Sequence, residues 1–190
     1  MIPPYTHSGV LPPFMGSDPG AGAISPYPST IVEVAQRFCH TPERVKLFRG
    51  LLAFRKELIN VGFTTGVQWI DGSFTEDVES TRGRPPKDID VVSVLIRPAA
   101  YVSDDVAWSA FVTANPKVLD PQLAKSTFNC EAFFVDGGYP ALLVANQITY
   151  WSALFTHQRV SFLWKGMLQV NLQDIDDEAE KLIDKMTFPP

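Results

Sequence analysis

Apolar side chains recur three or four positions apart in the first third of the chain, which is the spacing of one helix face. A helix capped by Ser29 or Thr30 is predicted to run to residue 39. The next helix is predicted to begin at Thr41-Pro42, an N-cap residue followed by a proline at the first helical position. Gly62 is expected to end it, because glycine adopts the left-handed conformation that often follows a helix. Two N-terminal helices are therefore expected.

Beyond the second helix the apolar runs shorten and turn residues separate them, which indicates strands alternating with helices. The predicted strands are Val67–Asp71, Asp88–Ile96 and Asn129–Val135, followed by one or two strands within Val160–Leu172. The predicted helices are one from about Asp104 capped by Ser103, a short one begun by Asp120-Pro121, one over Ala141–Phe155, and an acidic amphipathic one over Asp174–Met186. This order predicts an α/β (α+β) fold, with a mixed sheet flanked by helices.

Prolines are concentrated at the N-terminus, where seven of the 16 lie within residues 1–28. Proline fixes its own φ and lacks an N–H donor, so this stretch is expected to be neither a regular helix nor a central strand. Apolar anchors such as Leu11 and Phe14 favour an extended arm that packs on a single domain spanning residues 29–190. A free linker is the alternative, and Gly16–Ala23 is predicted to be the loosest part.

Composition and charge limit the classes of function. Hydrophobic residues make up 45% of the chain and charged residues 19%, which is the balance of a folded globular domain. The net charge of −5 disfavours binding to nucleic acid through bulk positive charge. Cys39 and Cys130 form no CxxC or Cys/His cluster, so buried free thiols are expected rather than a zinc site. The first residues lack the basic and apolar regions of a secretory leader, and no apolar run approaches membrane length. Neither a leader nor a membrane span is therefore expected, and the expected location is the cytoplasm.

The first candidate for chemistry is Gly72-Ser73, where a strand is predicted to end and the chain can turn into a short helix. Glycine lets a ligand approach the backbone closely. The serine hydroxyl would join the backbone N–H groups that point out of a helix N-terminus. Such a turn is typical of an anion site, and phosphate is the expected anion.

Three acids form the second candidate. Asp88 and Asp90 open a predicted strand and point to the same face, because strand side chains alternate. Neighbouring carboxylates repel each other unless a cation lies between them, and Mg²⁺ prefers such oxygen ligands. Glu131 is the lone acid of an apolar strand, where a carboxylate is costly unless it is paired or bound to metal. The alternatives are a solvated strand entrance for the pair and an edge-strand surface acid for Glu131. Asp136 has the opposite parity and is interpreted as a turn residue, although it is the other candidate for the third acid.

Together these segments resemble a known superfamily. The chain is similar to the nucleotidyltransferases of the DNA polymerase β-like fold, including their minimal bacterial members. The similarity lies in Trp69-Ile70-Asp71-Gly72-Ser73-Phe74, then Pro86-Lys87-Asp88-Ile89-Asp90-Val91-Val92, and a single acid on a third strand. Gly9-Val10-Leu11-Pro12-Pro13, Ser25-Pro26-Tyr27 and Lys165-Gly166 also resemble a bacterial branch of that superfamily. The resemblance implies that Gly72 and Ser73 contact nucleotide phosphates. It also implies that Asp88, Asp90 and Glu131 are catalytic and hold two Mg²⁺ ions, with Mn²⁺ as a substitute, and that Glu131 acts as general base.

Basic side chains are expected to complement the triphosphate. Arg82, Arg84 and Lys87 precede Asp88 and are interpreted as contacts to phosphate or to an acidic acceptor, with a solvated loop as the alternative. Lys165 interrupts an apolar run and is assigned to nucleotide binding.

The activity implied by the resemblance is transfer of a nucleoside monophosphate from an NTP, ATP foremost, to a hydroxyl acceptor. A protein acceptor, as in antitoxins that modify a partner toxin, is favoured slightly over a small molecule, and nucleic acid is the least favoured. A second copy of the chain or a toxin is the expected protein partner, and no membrane partner is expected. The alternative is a protein of the same fold that lacks the chemistry and acts by contact, as an antitoxin can.

Overall fold

Helices and strands alternate along the chain in the computed structural model, which describes residues 1–17, 22–159 and 161–188. The strands are β1 (Tyr27–Pro28), β2 (Gly66–Asp71), β3 (Ile89–Leu95), β4 (Cys130–Asp136) and β5 (Leu168–Asn171). The helices are α1 (Ile31–Phe38), α2 (Pro42–Asn60), α3 (Val78–Arg82), α4 (Asp105–Ala114), α5 (Pro116–Leu119), α6 (Pro121–Phe128), α7 (Ala141–Phe155) and α8 (Asp176–Asp184). Single 3₁₀ turns occupy Gly72–Thr75 and Ala99–Tyr101.

The strands form one mixed sheet in the order β1-β5-β2-β3-β4. β2 is antiparallel to both β3 and β5, whereas β3 runs parallel to β4 and β1 parallel to β5. This arrangement confirms the predicted α+β class.

The two faces of the sheet are covered to different extents. On one face α1, α2, α8 and the α4–α6 segment pack over the larger hydrophobic cluster, which includes Ile70, Val91 and Ala132. On the other face a smaller cluster of buried residues is formed by Trp69, Val92, Val135, Phe155 and Met167. Because strand side chains alternate, Asp90 and Glu131 project to this second face, the one that α7 covers.

Local capping explains where the N-terminal helices begin. The Thr30 side chain accepts a hydrogen bond from the Glu33 N–H, and the Glu33 carboxylate accepts one from the Thr30 N–H, which is a capping box. Thr41 caps α2 in the same manner by accepting from the Arg44 N–H. The two predicted N-terminal helices are confirmed, and both cysteines are buried free thiols as expected.

The N-terminal arm lies along the edge of the sheet. The Gly166 N–H donates to the Leu11 carbonyl at 2.8 Å, and the Tyr27 hydroxyl donates to the Pro12 carbonyl at 2.8 Å. Leu11 and Tyr27 are each 1% exposed, so this arm belongs to the packed structure. The stretch predicted to be loosest, Gly16–Ala23, includes residues 18–21, which lie outside the described residues.

Two sequence predictions, those for Ser103 and Asp136, are wrong, whereas the prediction of one or two strands within Val160–Leu172 is met by one strand. The cap of α4 is Asp104, whose carboxylate accepts from two backbone N–H groups of the first turn, and not Ser103. Within Val160–Leu172, β5 is the one named strand among the described residues, and Val160 lies outside them. Asp136 is the buried last residue of β4 rather than a turn residue, because its carboxylate pairs with Arg97.

Candidate functional site

Strand register brings carboxylates from three neighbouring strands side by side. Asp90 on β3 lies opposite Asp71 on β2 and opposite Glu131 on β4. Asp88 precedes β3 by one residue and shares the parity of Asp90. The face of the sheet next to α7 therefore carries four acids within a short distance.

Three of these acids are placed to share a cation. Oxygens of Asp88, Asp90 and Glu131 all lie within 4.8 Å of one another. In the parts of the chain that the structure describes, this is the one group of three or more acids, histidines or cysteines with such a geometry. The set fits Mg²⁺, which binds carboxylate oxygens and retains waters or substrate phosphates at its other positions.

The arrangement disfavours ionisation of Asp90. Burial first, and then repulsion from Asp71, Asp88 and Glu131, raises the pKa of its carboxyl from 3.8 to about 7. A carboxyl with such a pKa is partly protonated at neutral pH unless a cation approaches it. A cation beside Asp90 would therefore favour its ionised form and offset the repulsion from the neighbouring acids.

Gly72 is required where β2 leads into the 3₁₀ turn Gly72–Thr75. Its φ is +82°, and a Cβ there would lie 2.5 Å from Oδ2 of Asp90. Any side chain would therefore displace the Asp90 carboxylate as well as strain the backbone. The short helix predicted after the strand is this single turn, and it places Ser73 on the wall of the cleft.

Lys165 is brought to the site as predicted, but its ammonium already has partners. It lies 2.9 Å from a carboxylate oxygen of Asp71 and 3.0 Å from one of Glu76, and its side chain is 5% exposed. Burial on its own would lower the pKa of Lys165, but the two carboxylates reverse this and raise the pKa above its usual value. Lys165 thus ties Asp71 at the end of β2 to Glu76 beyond the 3₁₀ turn, and Gly72-Ser73 lies between these two acids.

Lys125 also reaches the acids, and no motif or spacing in the sequence predicts this contact. Its ammonium lies 2.6 Å from Oδ2 of Asp88 and 2.6 Å from Oε2 of Glu131. Hydrogen bonds to these two carboxylates, Asp88 first, raise the pKa of Lys125 above its usual range. Asp71 and Glu76 were likewise missed as members of the site.

These residues line a cleft of about 800 Å³ between the sheet and α7. The wall from α7 is aromatic and apolar and contains Tyr150, Trp151, Leu154 and Phe155. Phe133 on β4 packs against Trp151 with their ring centroids 4.3 Å apart. The cleft can thus offer acids, cations and flat apolar surface to one ligand.

The basic residues of the segment before β3 do not all face the cleft. Arg82 lines it and donates to the Glu76 carboxylate at 2.8 Å. Arg84 and Lys87 are absent from the lining residues that the structure describes. Of the three, only Arg82 is therefore placed to meet a ligand of the cleft.

Residues 3–171 match the family of unknown function DUF6932. The chain belongs to that family. No curated protein and no solved structure matches the chain. The DUF6932 match includes every candidate site residue and both lysines of the cleft, whereas α8 lies beyond it.

The alternative third acid of this DUF6932 chain lies elsewhere. Asp136 projects to the opposite face of the sheet from Glu131, and its Oδ2 accepts from Nε of Arg97 at 2.5 Å. Both side chains are almost fully buried, at 3% and 6% exposure. Asp136 is therefore one half of a structural ion pair in the described residues.

A separate finding is that none of the described helices is long and apolar enough to cross a membrane.

Proposed function

We propose that this protein is a metal-dependent nucleotidyltransferase, which moves a nucleoside monophosphate from an NTP to a hydroxyl acceptor. The observation that carries the proposal is the placement of Asp88, Asp90 and Glu131, whose oxygens lie within 4.8 Å of one another beside Gly72-Ser73. Carboxylates held this close are the ligand set that phosphoryl-transfer sites use for Mg²⁺. Resemblance of the surrounding sequence to the nucleotidyltransferase superfamily supports the same conclusion.

In the proposed reaction an acceptor hydroxyl attacks the α-phosphorus of the NTP, and the bond to the leaving pyrophosphate breaks. Two Mg²⁺ ions, or Mn²⁺, would supply charge neutralisation on the phosphates and activation of the hydroxyl. Asp88, Asp90 and Glu131 would hold the metal, and Glu131 would accept the proton of the attacking hydroxyl. The N–H groups and hydroxyl of Gly72-Ser73 would donate to phosphate oxygens, and Arg82 would add a cation.

The nucleoside is expected to lie along α7. Tyr150, Trp151 and Phe155 line the cleft that holds the acids, and aromatic side chains of this kind stack on nucleobases. Tyr150 is 57% exposed, so its ring can be reached from solvent. ATP is the proposed donor, since it is the NTP that the resemblance favours.

A protein hydroxyl is the favoured acceptor, in an antitoxin or defence role in the bacterial cytoplasm, with a small molecule second. A toxin or a second copy of the chain is the corresponding partner. The chain has no large second domain among its described elements that would enclose a small substrate. An acceptor on a macromolecule would need no such enclosure.

The proposal is tested with α-labelled ATP, Mg²⁺ and bacterial lysate as the source of acceptor. Wild type is compared with Asp88→Asn/Asp90→Asn, and with Glu178→Gln/Glu180→Gln as a matched control that removes two exposed acids of α8. We expect label transfer by wild type and the control, and loss of at least about 100-fold in the double Asn variant. Equal transfer by all three proteins would reject the assignment.

One observation favours the alternative, a binding protein without catalysis. α7 carries no charged residue, and Leu142, Leu143 and Leu154 on it are 74%, 50% and 46% exposed. Exposed apolar surface of this kind is typical of protein contacts. Absence of both label transfer and metal-dependent ATP binding in calorimetry would favour this second function.

A further inference from the structure

Lys125 stands in the position that a bridging cation would take. Its ammonium contacts Asp88 and Glu131 at equal distances of 2.6 Å, and these are two of the three acids placed to share a metal ion. The residue lies on α6, which is capped by Asp120 and packs directly on β4. The packing of α6 on β4 therefore brings Lys125 to the acids.

We propose that Lys125 is a tethered competitor of the metal, which sets the affinity of the site for divalent cations; this rests on the proposed function. An ammonium and a metal ion cannot both lie between Asp88 and Glu131, because their positive charges repel each other and both would bind the same pair of carboxylates. Binding of the ion therefore requires Lys125 to leave. Each ion that binds must replace the two ion pairs of Lys125, and the free energy of these pairs lowers the affinity of the site for the ion.

The charges around the cleft explain why such a competitor is useful. Five carboxylates, those of Asp71, Glu76, Asp88, Asp90 and Glu131, line the cleft together with three cations that contact them, Arg82, Lys125 and Lys165. Without Lys125 the carboxylates of Asp88 and Glu131 would lie beside Asp90 with no other ion pair among the described residues. The lysine stabilises the metal-free protein by neutralising part of this charge.

Comparison of the two lysines shows why Lys125 can leave whereas Lys165 cannot. The Lys165 side chain is 5% exposed and is enclosed by its two carboxylates. The Lys125 side chain is 46% exposed and hangs from the surface of a helix on a flexible stem. Moving its ammonium into water breaks these two ion pairs and no other ion pair of the described residues. Lys165 is thus a fixed part of the site and Lys125 an exchangeable one.

A nucleotide alters the balance of this exchange. When the metal arrives as its ATP complex, the triphosphate offers oxygens that can accept the displaced ammonium. Free metal offers Lys125 no new partner. We therefore expect Lys125 to weaken the binding of free metal ions more than the binding of the metal–ATP complex, so that the site is loaded with both together.

The test measures Mn²⁺ binding by electron paramagnetic resonance in wild type, Lys125→Met, Lys125→Arg and Lys117→Met. Lys117 is an exposed lysine of the neighbouring helix α5 that lies outside the cleft, so its variant is the matched control. We expect Lys125→Met to bind Mn²⁺ about tenfold more tightly than wild type, the low end of the range for close charge pairs. The arginine variant and the control should stay near wild type. The gain for Mn²⁺–ATP should be smaller than for free Mn²⁺.

The outcomes separate the competitor from the proposed function. Equal Mn²⁺ affinity in wild type and Lys125→Met overturns the competitor and leaves metal-dependent transfer standing. Absence of Mn²⁺ binding in both proteins overturns the metal-dependent function as well.

A measurement on the unaltered protein guards against a variant that misfolds. The rate at which acetic anhydride acetylates Lys125, followed by mass spectrometry, should rise when Mn²⁺ is added. The ion displaces the side chain from its two carboxylates, and the freed group can lose a proton and attack the anhydride as an amine, with acetate leaving. Modification of Lys117 should not change. An unchanged rate at Lys125 under saturating Mn²⁺ would contradict the proposal.

Discussion

At Asp90 the fold sets burial and like charge against ionisation. Asp71 and Glu131 flank it on the neighbouring strands, and Asp88 lies on the same face. Two cations offset this, since Lys165 lowers the pKa of Asp90 and Lys125 pairs with two of its acidic neighbours. The raised pKa is what remains after these opposing effects.

This pKa predicts how stability depends on pH in the metal-free protein. The folded state holds a proton on Asp90 up to about pH 7, whereas the unfolded chain releases it near 3.8. Protonation of Asp90 therefore contributes to the free energy of unfolding, and this contribution is fully present below the unfolded pKa. It is lost as the pH rises through about 7, which lowers the free energy of unfolding by roughly 2–4 kcal/mol. Melting temperatures in EDTA should therefore fall from pH 5 to pH 8 more steeply for wild type than for Asp90→Asn. If the melting temperatures of the two proteins fell equally with pH, a pKa of Asp90 raised by burial and repulsion would be contradicted.

Substitution of two glycines separates backbone strain from the clash at the site. Gly72 and Gly83 both have positive φ, +82° and +61°, but a Cβ at Gly83 meets nothing within 4 Å. Gly83→Ala should lose about 1 kcal/mol of unfolding free energy from its φ alone. Gly72→Ala should lose about 1–3 kcal/mol more, because its methyl group collides with Asp90. Urea denaturation measures both, and equal losses would show that the Asp90 contact is unimportant.

The choice of the third acid is tested by Glu131→Gln and Asp136→Asn. Glu131→Gln should keep the stability of wild type and lower nucleotidyl transfer at least about 100-fold. Asp136→Asn should lower the unfolding free energy by about 1–3 kcal/mol, because the buried Arg97 then keeps only the exposed Asp105 carboxylate as an ion-pair partner, and should retain transfer by the folded fraction. Transfer assays measure the activity of each variant, and denaturation curves measure its free energy of unfolding. The reverse pattern would make Asp136 the functional acid.

At the scale of elements, periodic segments were predicted well and contacts between elements were not. The predicted helix Ala141–Phe155 has the bounds of α7, and the Asp88–Ile96 strand prediction differs from β3 by one residue at each end. Parity along β4 was enough to separate Glu131 from Asp136. Lys125 could not be foreseen, because its approach to Asp88 depends on how α6 packs on the sheet.

Buried pairs were missed for a related reason. Asp71 ends a strand like many surface acids, and its burial follows from Lys165, 94 positions later in the chain. A sequence pattern shows which face a strand residue occupies, but it does not show which distant cation neutralises it. Glu76 was overlooked in the same way.

Gly166 tests the link between the N-terminal arm and the site. A Cβ at this position would lie 2.3 Å from the Pro12 carbonyl oxygen, so Gly166→Ala should push the arm outward and break the hydrogen bond from Gly166 to Leu11. Deuterium exchange of a peptide covering residues 5–13 should become faster. Gly137→Ala is the control, because its Cβ would approach no atom closer than 3.0 Å. Unchanged exchange in Gly166→Ala would contradict this packing of the arm.

At the scale of the whole molecule, the net charge of −5 is unevenly distributed. Three acids are gathered at the cleft as candidate metal ligands, and α8 has three more in its first turn. If the three cleft acids are counted as neutralised by metal, the charge on the rest of the protein becomes −2. Part of the acidity of the chain therefore belongs to the proposed site. Because of this, the net charge disfavours a nucleic-acid partner less strongly than the value of −5 alone indicates.

The central claim is transfer of a nucleotidyl group, and the most direct measurement compares ATP labelled at the α-phosphate with ATP labelled at the γ-phosphate. Wild-type protein is incubated with each, together with Mg²⁺ and acceptor-containing lysate. We predict that the α label becomes attached to an acceptor and that the γ label appears in pyrophosphate. Attachment of the γ label, or attachment of neither label to any acceptor, would contradict the proposed function.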